Sequence, residues 1–449
     1  MDYISTRDIK KQKISASKAI ATGLAHDGGL YVPCEFPALQ NYMGKSFQSI
    51  AADILKLYLS DFSENEIEEY VCLAYNEDMP VKVNGQYLEL FHGRTSAFKD
   101  VALQLYPYLL TSSLERNNVK KTAVVLVATS GDTGSAVIAG MADVPNTRAI
   151  VFYPDGGVSE VQKLQMTTQE GRNINVFGIN GNFDDAQTAV KGIFEDENFK
   201  SKFSEKYIFT SANSINLGRL LPQIAYYFYA YSESGCSGEI NFAVPTGNFG
   251  NILAGYYAKK MGLPINKLIC ATNSNNVLYD FITTGVYNKN RELNLTISPS
   301  MDILVSSNLE RLLYEIGGCE NVISAYDSLK TKGEFEFKLS EPIFESEFVT
   351  EDETIETIRE VHSSEKLIID PHTAVAKNAY DKYKKRTGDN TAAMILATAS
   401  PFKFPTAIER ALGKVLQNPP ANIKKLIGKP ILHNEVVSDI KKAVGGVLS

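Results

Sequence analysis

From residue 86 onward, apolar runs alternate with amphipathic stretches. Thr122–Thr129 is an almost unbroken apolar run, the pattern of a parallel strand buried on both faces. Ala149–Tyr153, Ile174–Ile179, Ile240–Pro245, Leu268–Thr272 and Ala392–Thr398 repeat it. Between them Ser135–Ala142, Leu217–Tyr231, Ile252–Met261 and Thr354–Val361 carry helical spacing. This alternation predicts α/β domains with mainly parallel sheets and right-handed crossovers. Gly333–Glu353, charged and containing one proline, is the most loop-like stretch. At its end, Thr350 followed by Glu351, Asp352 and Glu353 predicts a helix start with an acidic first turn.

Residues 1–85 follow a different pattern. Leu24–Pro33 predicts a turn and a short strand, with helices around Ser49–Leu59 and Glu64–Tyr75. The acidic run Glu64 to Glu69 reads as a solvated helix face. A chain of 449 residues is too long for one core and predicts two or three domains. Its 44% apolar and 22% charged residues fit a globular enzyme. A net charge of −7 gives no reason to expect nucleic acid or an anionic membrane as partner, so an anionic substrate needs a local cluster of positive groups. No apolar run approaches membrane-spanning length, and Met1–Arg7 lacks a signal-peptide core. Cys34, Cys72, Cys236, Cys270 and Cys319 are scattered, which predicts reduced, mostly buried thiols in the cytosol. Five histidines without paired spacing argue against a zinc site.

The chemistry concentrates where strands give way to helices. In Phe91-His92-Gly93-Arg94-Thr95-Ser96-Ala97-Phe98-Lys99-Asp100 a strand-like run, Tyr87–Phe91, leads into a long apolar helix. Thr95 or Ser96 can cap that helix, which puts Lys99 in its first turn. The positive end of a helix and burial near Phe91 and Phe98 both disfavour an ammonium ion, so the pKa should fall. A neutral lysine can form a Schiff base with a carbonyl cofactor and then work as an acid or base. A lysine snorkelling from a helix end is the plainer alternative.

Thr246-Gly247-Asn248-Phe249-Gly250-Asn251 follows a strand and opens a helix, so its backbone amides can approach an anion. The same turn could also be purely structural. Thr129-Ser130-Gly131-Asp132-Thr133-Gly134 sits at a similar junction and suits a carboxylate; alternatively Asp132 and Thr133 cap the helix themselves. Asn213, Ser214, Asn216 and Arg219 cluster on a loop entering a helix and offer donors to an anion with many oxygens. Thr398-Ala399-Ser400-Pro401-Phe402-Lys403 ends a buried strand, the edge where open α/β sheets bind ligands. Asp370 reads as a helix cap, and His372 as a packed or hydrogen-bonding residue rather than a general base.

These segments, with Tyr3–Arg7 and Asp27–Pro33, closely resemble threonine synthases, fold-type II pyridoxal-phosphate enzymes, in the same order and over most of the chain. The resemblance implies two open, mainly parallel sheets flanked by helices, and an N-terminal helical module over residues 1–85. The catalytic region then spans 86–449, with a smaller substrate-carboxylate subdomain at about 110–235. It implies the conversion of O-phospho-L-homoserine and water to L-threonine and phosphate, in the cytoplasm, by a monomer or homodimer. Lys99 would hold the cofactor as a Schiff base. Gly247, Asn248, Phe249, Gly250 and Asn251 would bind its phosphate, Thr398 its ring nitrogen, and Asp132 would lie near its phenolic oxygen. Thr129, Ser130 and Gly131 would take the substrate carboxylate; Thr133, Asn213, Ser214 and Arg219 would take the substrate phosphate. Arg94 stands where the family usually has proline and could meet the substrate phosphate, pair with an acid or point to solvent. Ser400 stands where many members have histidine, so no proton role attaches to it. A threonine dehydratase or phospholyase is the rival within this fold, and a binding protein that kept the fold the rival outside catalysis. The N-terminal module with the Asn213–Arg219 loop opposes the first, and the intact lysine and phosphate loop oppose the second.

Overall fold

The computed structural model describes residues 1–75 and 79–449. In the N-terminal module β1 (Tyr3–Ser5) and β2 (Tyr31–Pro33) pair antiparallel beside helices Ala16–Thr22, Phe47–Tyr58 and Glu64–Tyr75. Ser15 and Ser46 cap the first two helices, each hydroxyl accepting from the amide three residues on. Phe47, Ile50, Ile54 and Leu55 are buried along one face, the apolar stripe of an amphipathic helix. Glu310 anchors the module: it accepts from Thr6 Oγ1 at 2.6 Å and from Arg7 Nε and Nη2 at 2.9 and 2.7 Å.

A hairpin of β3 (Lys82–Asn84) and β4 (Tyr87–Glu89) follows. β5 (Thr122–Ala128), β6 (Thr147–Pro154), β7 (Ile174–Ile179) and β8 (Tyr207–Ser211) form a parallel sheet in the order β7-β6-β5-β8. β9 (Ile240–Pro245) and β10 (Ile265–Thr272) start a larger sheet, and β11 (Val286–Asn288) pairs with β12 (Glu334–Glu336) apart from both. β13 (Phe344–Phe348) and β14 (Ala392–Ala397) complete the larger sheet, ordered β13-β10-β9-β14-β4-β3 and parallel except at β3–β4. Finally β15 (Val436–Val437) joins the outer edge of β7.

The expected α/β architecture is therefore present, and the six apolar runs are strands of its two main sheets. Its edges read less well. The stretch Gly333–Glu353 holds β12 and β13 rather than a loop. In β13 Phe344 and Ser346 point inward, while Glu345 and Glu347 accept from Arg386 at 2.9 and 2.8 Å. That is edge-strand alternation, in which charge on the outer face hides a short strand from an apolar-run criterion. β8 was not anticipated either; it too is an edge strand, half polar in sequence. The Thr350 helix start is as expected, a capping box with Glu353.

The helix after Lys99 is not long. It runs Lys99–Leu103 and restarts as Tyr106–Arg116, with Pro107 in the second helix's first turn. Proline lacks an amide and disfavours helical backbone before it, so the break falls there. The cysteines also differ from expectation: Cys270 and Cys319 are buried, Cys236 is half-buried, and Cys34 and Cys72 are exposed. Cys72 lies on the outer face of the helix Glu64–Tyr75, and Cys34 just past β2.

Gly140 lies in the helix Asp132–Met141, where a Cβ would collide with the carbonyl of Leu103, at the end of the helix that carries Lys99. Gly140→Ala should therefore overpack this contact and cost roughly 1–3 kcal/mol. Gly192 sits exposed in a helix with nothing near its absent Cβ, so Gly192→Ala should gain about 0.5–1 kcal/mol. Thermal unfolding of the two variants checks the pair: their midpoints move in opposite directions.

Candidate active site

β4, β14 and β9 are neighbours, and their carboxyl ends deliver Phe91–Lys99, Thr398–Lys403 and Thr246–Asn251 to one edge of the larger sheet. In the smaller sheet the adjacent β5 and β8 deliver Thr129–Gly134 and Asn213–Arg219. Convergence at strand carboxyl ends is the general ligand geometry of open α/β sheets. The first two loops are laced together: Phe98 N donates to Thr398 O at 2.8 Å, and Ser400 N to Ser96 O at 3.0 Å.

Lys99 is the first residue of its helix, and its side chain is 12% exposed. Neither Thr95 nor Ser96 caps that helix. Thr95 turns the other way, donating from N and Oγ1 to the carboxylate of Asp100 at 2.8 and 2.7 Å. The Lys99 ammonium lies 4.6 Å from the centre of the Phe98 ring and 3.8 Å from Asp132 Oδ2. Burial is the main force that lowers its pKa, to about 8, helped by the positive charges of Arg219 and Lys403 and opposed by Asp132. At neutral pH a useful fraction of the amine is thus unprotonated.

Asp132 faces a stronger competitor for its charge than Lys99. Lys403 Nζ approaches its Oδ1 at 2.7 Å and also donates to Thr95 O at 2.9 Å, while Gln162 Nε2 donates to the same Oδ1 at 2.8 Å. Lys403 and Lys99 hold the Asp132 carboxyl well below the ordinary carboxylate range despite its burial. Asp132 does not cap its own helix. Thr129 takes that role, its Oγ1 accepting from Gly131 N and Gly134 N at 2.9 and 2.8 Å. Ser130 and Thr133 are half-buried on the same turn. Gly131 has φ 123°, and a Cβ there would strike Gln162, so the turn requires glycine.

Two features call for anions. Arg219 is 3% exposed, has no carboxylate within ion-pair distance among the described residues, and keeps an unpartnered Nε. Its Nη1 donates to Ala212 O, and burial lowers its pKa to about 10. A buried cation left so is costly until an anion arrives. Asn213 and Ser214 beside it are both half-buried. The second feature is Thr246–Asn251. Phe249 adopts the left-handed conformation, φ 64°, and no side chain caps the helix Gly250–Lys260. Its first amides are therefore open to a ligand. Asn251 Oδ1 accepts from Tyr226 and Tyr227, which leaves its buried Nδ2 without a partner. A Cβ at Gly247 would lie 2.7 Å from Ser300 O, so the loop passes Ser300 only as glycine. An amine nucleophile beside two separate anion cradles fits a phosphorylated carbonyl cofactor together with a phosphorylated substrate.

Residues 2–75 match the model of the threonine synthase N terminus, 87–398 that of pyridoxal-phosphate-dependent enzymes, and 373–444 that of the threonine synthase C-terminal region. The threonine synthase of Saccharomyces cerevisiae is 38% identical, over 91% of this chain and 89% of that protein. That of Pseudomonas aeruginosa is 39% identical, over 92% and 90%. The chain belongs to the threonine synthase family. The crystal structure of the pyridoxal-phosphate-bound threonine synthase from Brucella melitensis superposes with a TM-score of 0.89 at 38% identity, covering 100% of this chain and 98% of that one. The fold is thus that of fold-type II enzymes, the cofactor is pyridoxal phosphate, and the activity is that of a threonine synthase, a lyase.

Against this family background several participants escaped the sequence reading. Lys403 figured only as the end of a motif, although a lysine just past the end of a buried strand is itself a signal. Gln162 and Ser300, whose Oγ lies 3.4 Å from Asp132 Oδ2, carried no local signal. His372 is buried and hydrogen-bonded on both ring nitrogens, to Asp370 Oδ1 at 2.8 Å and from Ser300 N at 3.2 Å. Arg94 has an exposed side chain, and its carbonyl accepts from Asn422 Nδ2 at 3.2 Å. A surface hollow of about 780 Å³ beside β8, lined by Lys120, Lys200 and Tyr207, shares no residue with the constellation.

Lys403→Met removes a positive charge near Lys99 and frees Asp132 to attract it, and both changes raise the Lys99 pKa. The rate at which the apoprotein takes up pyridoxal phosphate should then shift its rising limb to higher pH. A profile identical to that of the unmodified protein would contradict the arrangement.

Proposed function

We propose that Lys99 carries the proton transfers of threonine synthesis in this enzyme, and that the two anion cradles hold cofactor phosphate and substrate phosphate separately. The buried, uncompensated Arg219 is the observation that carries the reading, because a cofactor phosphate alone would not explain a second site. Lys99 Nζ would hold the cofactor through its carbonyl carbon. Pyridoxal phosphate, once bound, supplies an electron sink for charge developing at the substrate α-carbon. Gly247–Asn251 would hold its phosphate by open helix amides, Thr398 would take the ring nitrogen, and Asp132, shared with Lys403, would serve the phenolic oxygen. Thr129, Ser130 and Gly131 orient the substrate carboxylate. Arg219, with Asn213, Ser214 and Thr133, grips the substrate phosphate. The freed Lys99 amine would take the α-proton and then a β-proton while phosphate leaves the γ-carbon, and would return one proton to the γ-carbon, which becomes the methyl group, and one to the α-carbon; water gives its hydroxyl to the β-carbon and its proton to the departed phosphate. A single tethered base suits these transfers because it stays within reach of these carbons.

The N-terminal module over 1–85, a smaller unit at about 110–235 and a larger remainder form the working divisions of this reading, with β15 returning to the smaller sheet. Cytoplasmic placement belongs to it as well, supported by five free thiols. A monomer or homodimer is consistent with a site whose groups all come from one chain.

Product analysis with pyridoxal phosphate and O-phospho-L-homoserine should yield threonine and phosphate in equal amounts, and neither from Lys99→Ala. Phosphate with 2-oxobutyrate would identify a phospholyase instead. Arg219→Met should lose roughly 1.5–3 kcal/mol of substrate binding, about ten- to a hundredfold in KM, with cofactor affinity retained. Its thermal stability should hold or rise, since an unpaired buried charge has gone.

A further inference from the structure

Behind the two cradles lies a second fully buried arginine. Arg311 is 0% exposed, and no carboxylate lies within ion-pair distance among the described residues. Its guanidinium donates in three directions: Nε to Tyr31 O at 2.9 Å, Nη2 to Ile215 O at 2.6 Å, and Nη1 to Asn308 Oδ1. The three acceptors belong to different parts of the molecule. Tyr31 lies in β2 of the N-terminal module, paired with Ser5 of β1. Ile215 lies in the loop between Asn213 and Arg219.

Asn308 reaches the other cradle. Its backbone N and its Nδ2 both donate to Asn248 O, at 3.0 and 3.2 Å. Neighbouring Ser306 and Ser307 bind Gly247 O and Asn248 Oδ1 at 2.7 and 3.1 Å. By occupying Asn308 Oδ1, Arg311 leaves Nδ2 as the atom that faces Asn248. The two cradles also lie close together, since a Cβ on Gly250 would sit 3.3 Å from Asn308 Nδ2 and 3.6 Å from Ser214 Cβ. A guanidinium is a rigid planar fork, so its three acceptors must keep fixed relative positions to satisfy it. A lysine in the same place has a single charged nitrogen and cannot span them.

We propose that Arg311 is a positioning residue that sets the separation of the cofactor-phosphate loop from the substrate-phosphate loop and ties that separation to the N-terminal module. The proposal rests on the assignment of those two loops above. It explains why the module, none of whose described residues lies in the constellation around Lys99, is held by adjacent buried residues, Glu310 and Arg311, at the start of the helix Leu309–Thr331.

The test uses the full-length enzyme, with Arg311→Lys, Arg7→Ala and Asn308→Asp beside the parent. Arg7→Ala breaks the ion pair to Glu310 that docks the same module but touches neither loop. For Arg311→Lys the dissociation constant for pyridoxal phosphate, read by fluorescence titration of the apoprotein, and the KM for O-phospho-L-homoserine should both rise about tenfold, with kcat changed much less. Arg7→Ala should lower the thermal midpoint while leaving both constants in place. If Arg311→Lys lowers only the midpoint, or if Arg7→Ala moves both constants as far, Arg311 is merely structural and the proposal fails. Should Arg311→Lys not fold, Asn308→Asp decides: it keeps the contact to Arg311 but loses the amide donor to Asn248. Its cofactor dissociation constant should rise, and an unchanged value would overturn the link. If the parent enzyme makes no threonine, the functional reading fails by itself, while the cofactor titration still judges Arg311.

Discussion

The structure turns on a lysine buried where it cannot comfortably keep its charge. Lys99 sits at the carboxyl ends of three adjacent strands with its side chain largely out of water. One carboxylate, Asp132, is within 3.8 Å, yet that carboxylate is taken up more closely by Lys403 at 2.7 Å. Burial and like charge therefore outweigh attraction, and part of the amine stays unprotonated at neutral pH. Were Lys403 absent, Asp132 would favour the ammonium, and a smaller fraction of the amine would be unprotonated at neutral pH. The fold serves this balance by bringing β14 beside β4, so that a segment near the C-terminus delivers Lys403 to the loop preceding Lys99.

The same logic of buried positive charge recurs without a counter-ion. Arg219 keeps an unpartnered donor, and its burial is tolerable only if an anion completes it. Arg311 solves its burial differently, by using protein carbonyls and an amide oxygen on every side. One arginine keeps a donor without a partner, and the other has each of its nitrogens hydrogen-bonded within the protein. That difference in satisfaction is the ground for reading the first as a binding group and the second as a positioning group.

Much of this was legible in the sequence because each site segment directly follows a strand or opens a helix. Lys99, Thr246–Asn251, Thr129–Gly134 and Thr398 announce themselves by that context and by their glycines and hydroxyls. Helix starts at Thr350 and Asp370 were legible through local side-chain-to-amide chemistry. What stayed hidden depends on contacts distant along the chain. Nothing near Lys403 names Asp132 as its partner, and nothing near Arg311 names Tyr31, Ile215 and Asn308. Edge strands β8 and β13 escaped because exposure on one side dilutes their apolar signal. The capping of the Lys99 helix was misjudged for a related reason: Thr95 answers to Asp100, which a local rule assigns to the helix body.

The most direct test of the central claim is the protonation of Lys99 itself. Nuclear magnetic resonance of lysine Nζ or Cε in the isotopically labelled apoprotein, with Lys99→Arg to assign the signal, follows it through pH. A midpoint near 8 is expected, well below the ordinary lysine value. A midpoint at the ordinary lysine value of 10.5 would mean that Asp132 holds the ammonium after all, and the account of this site would be wrong.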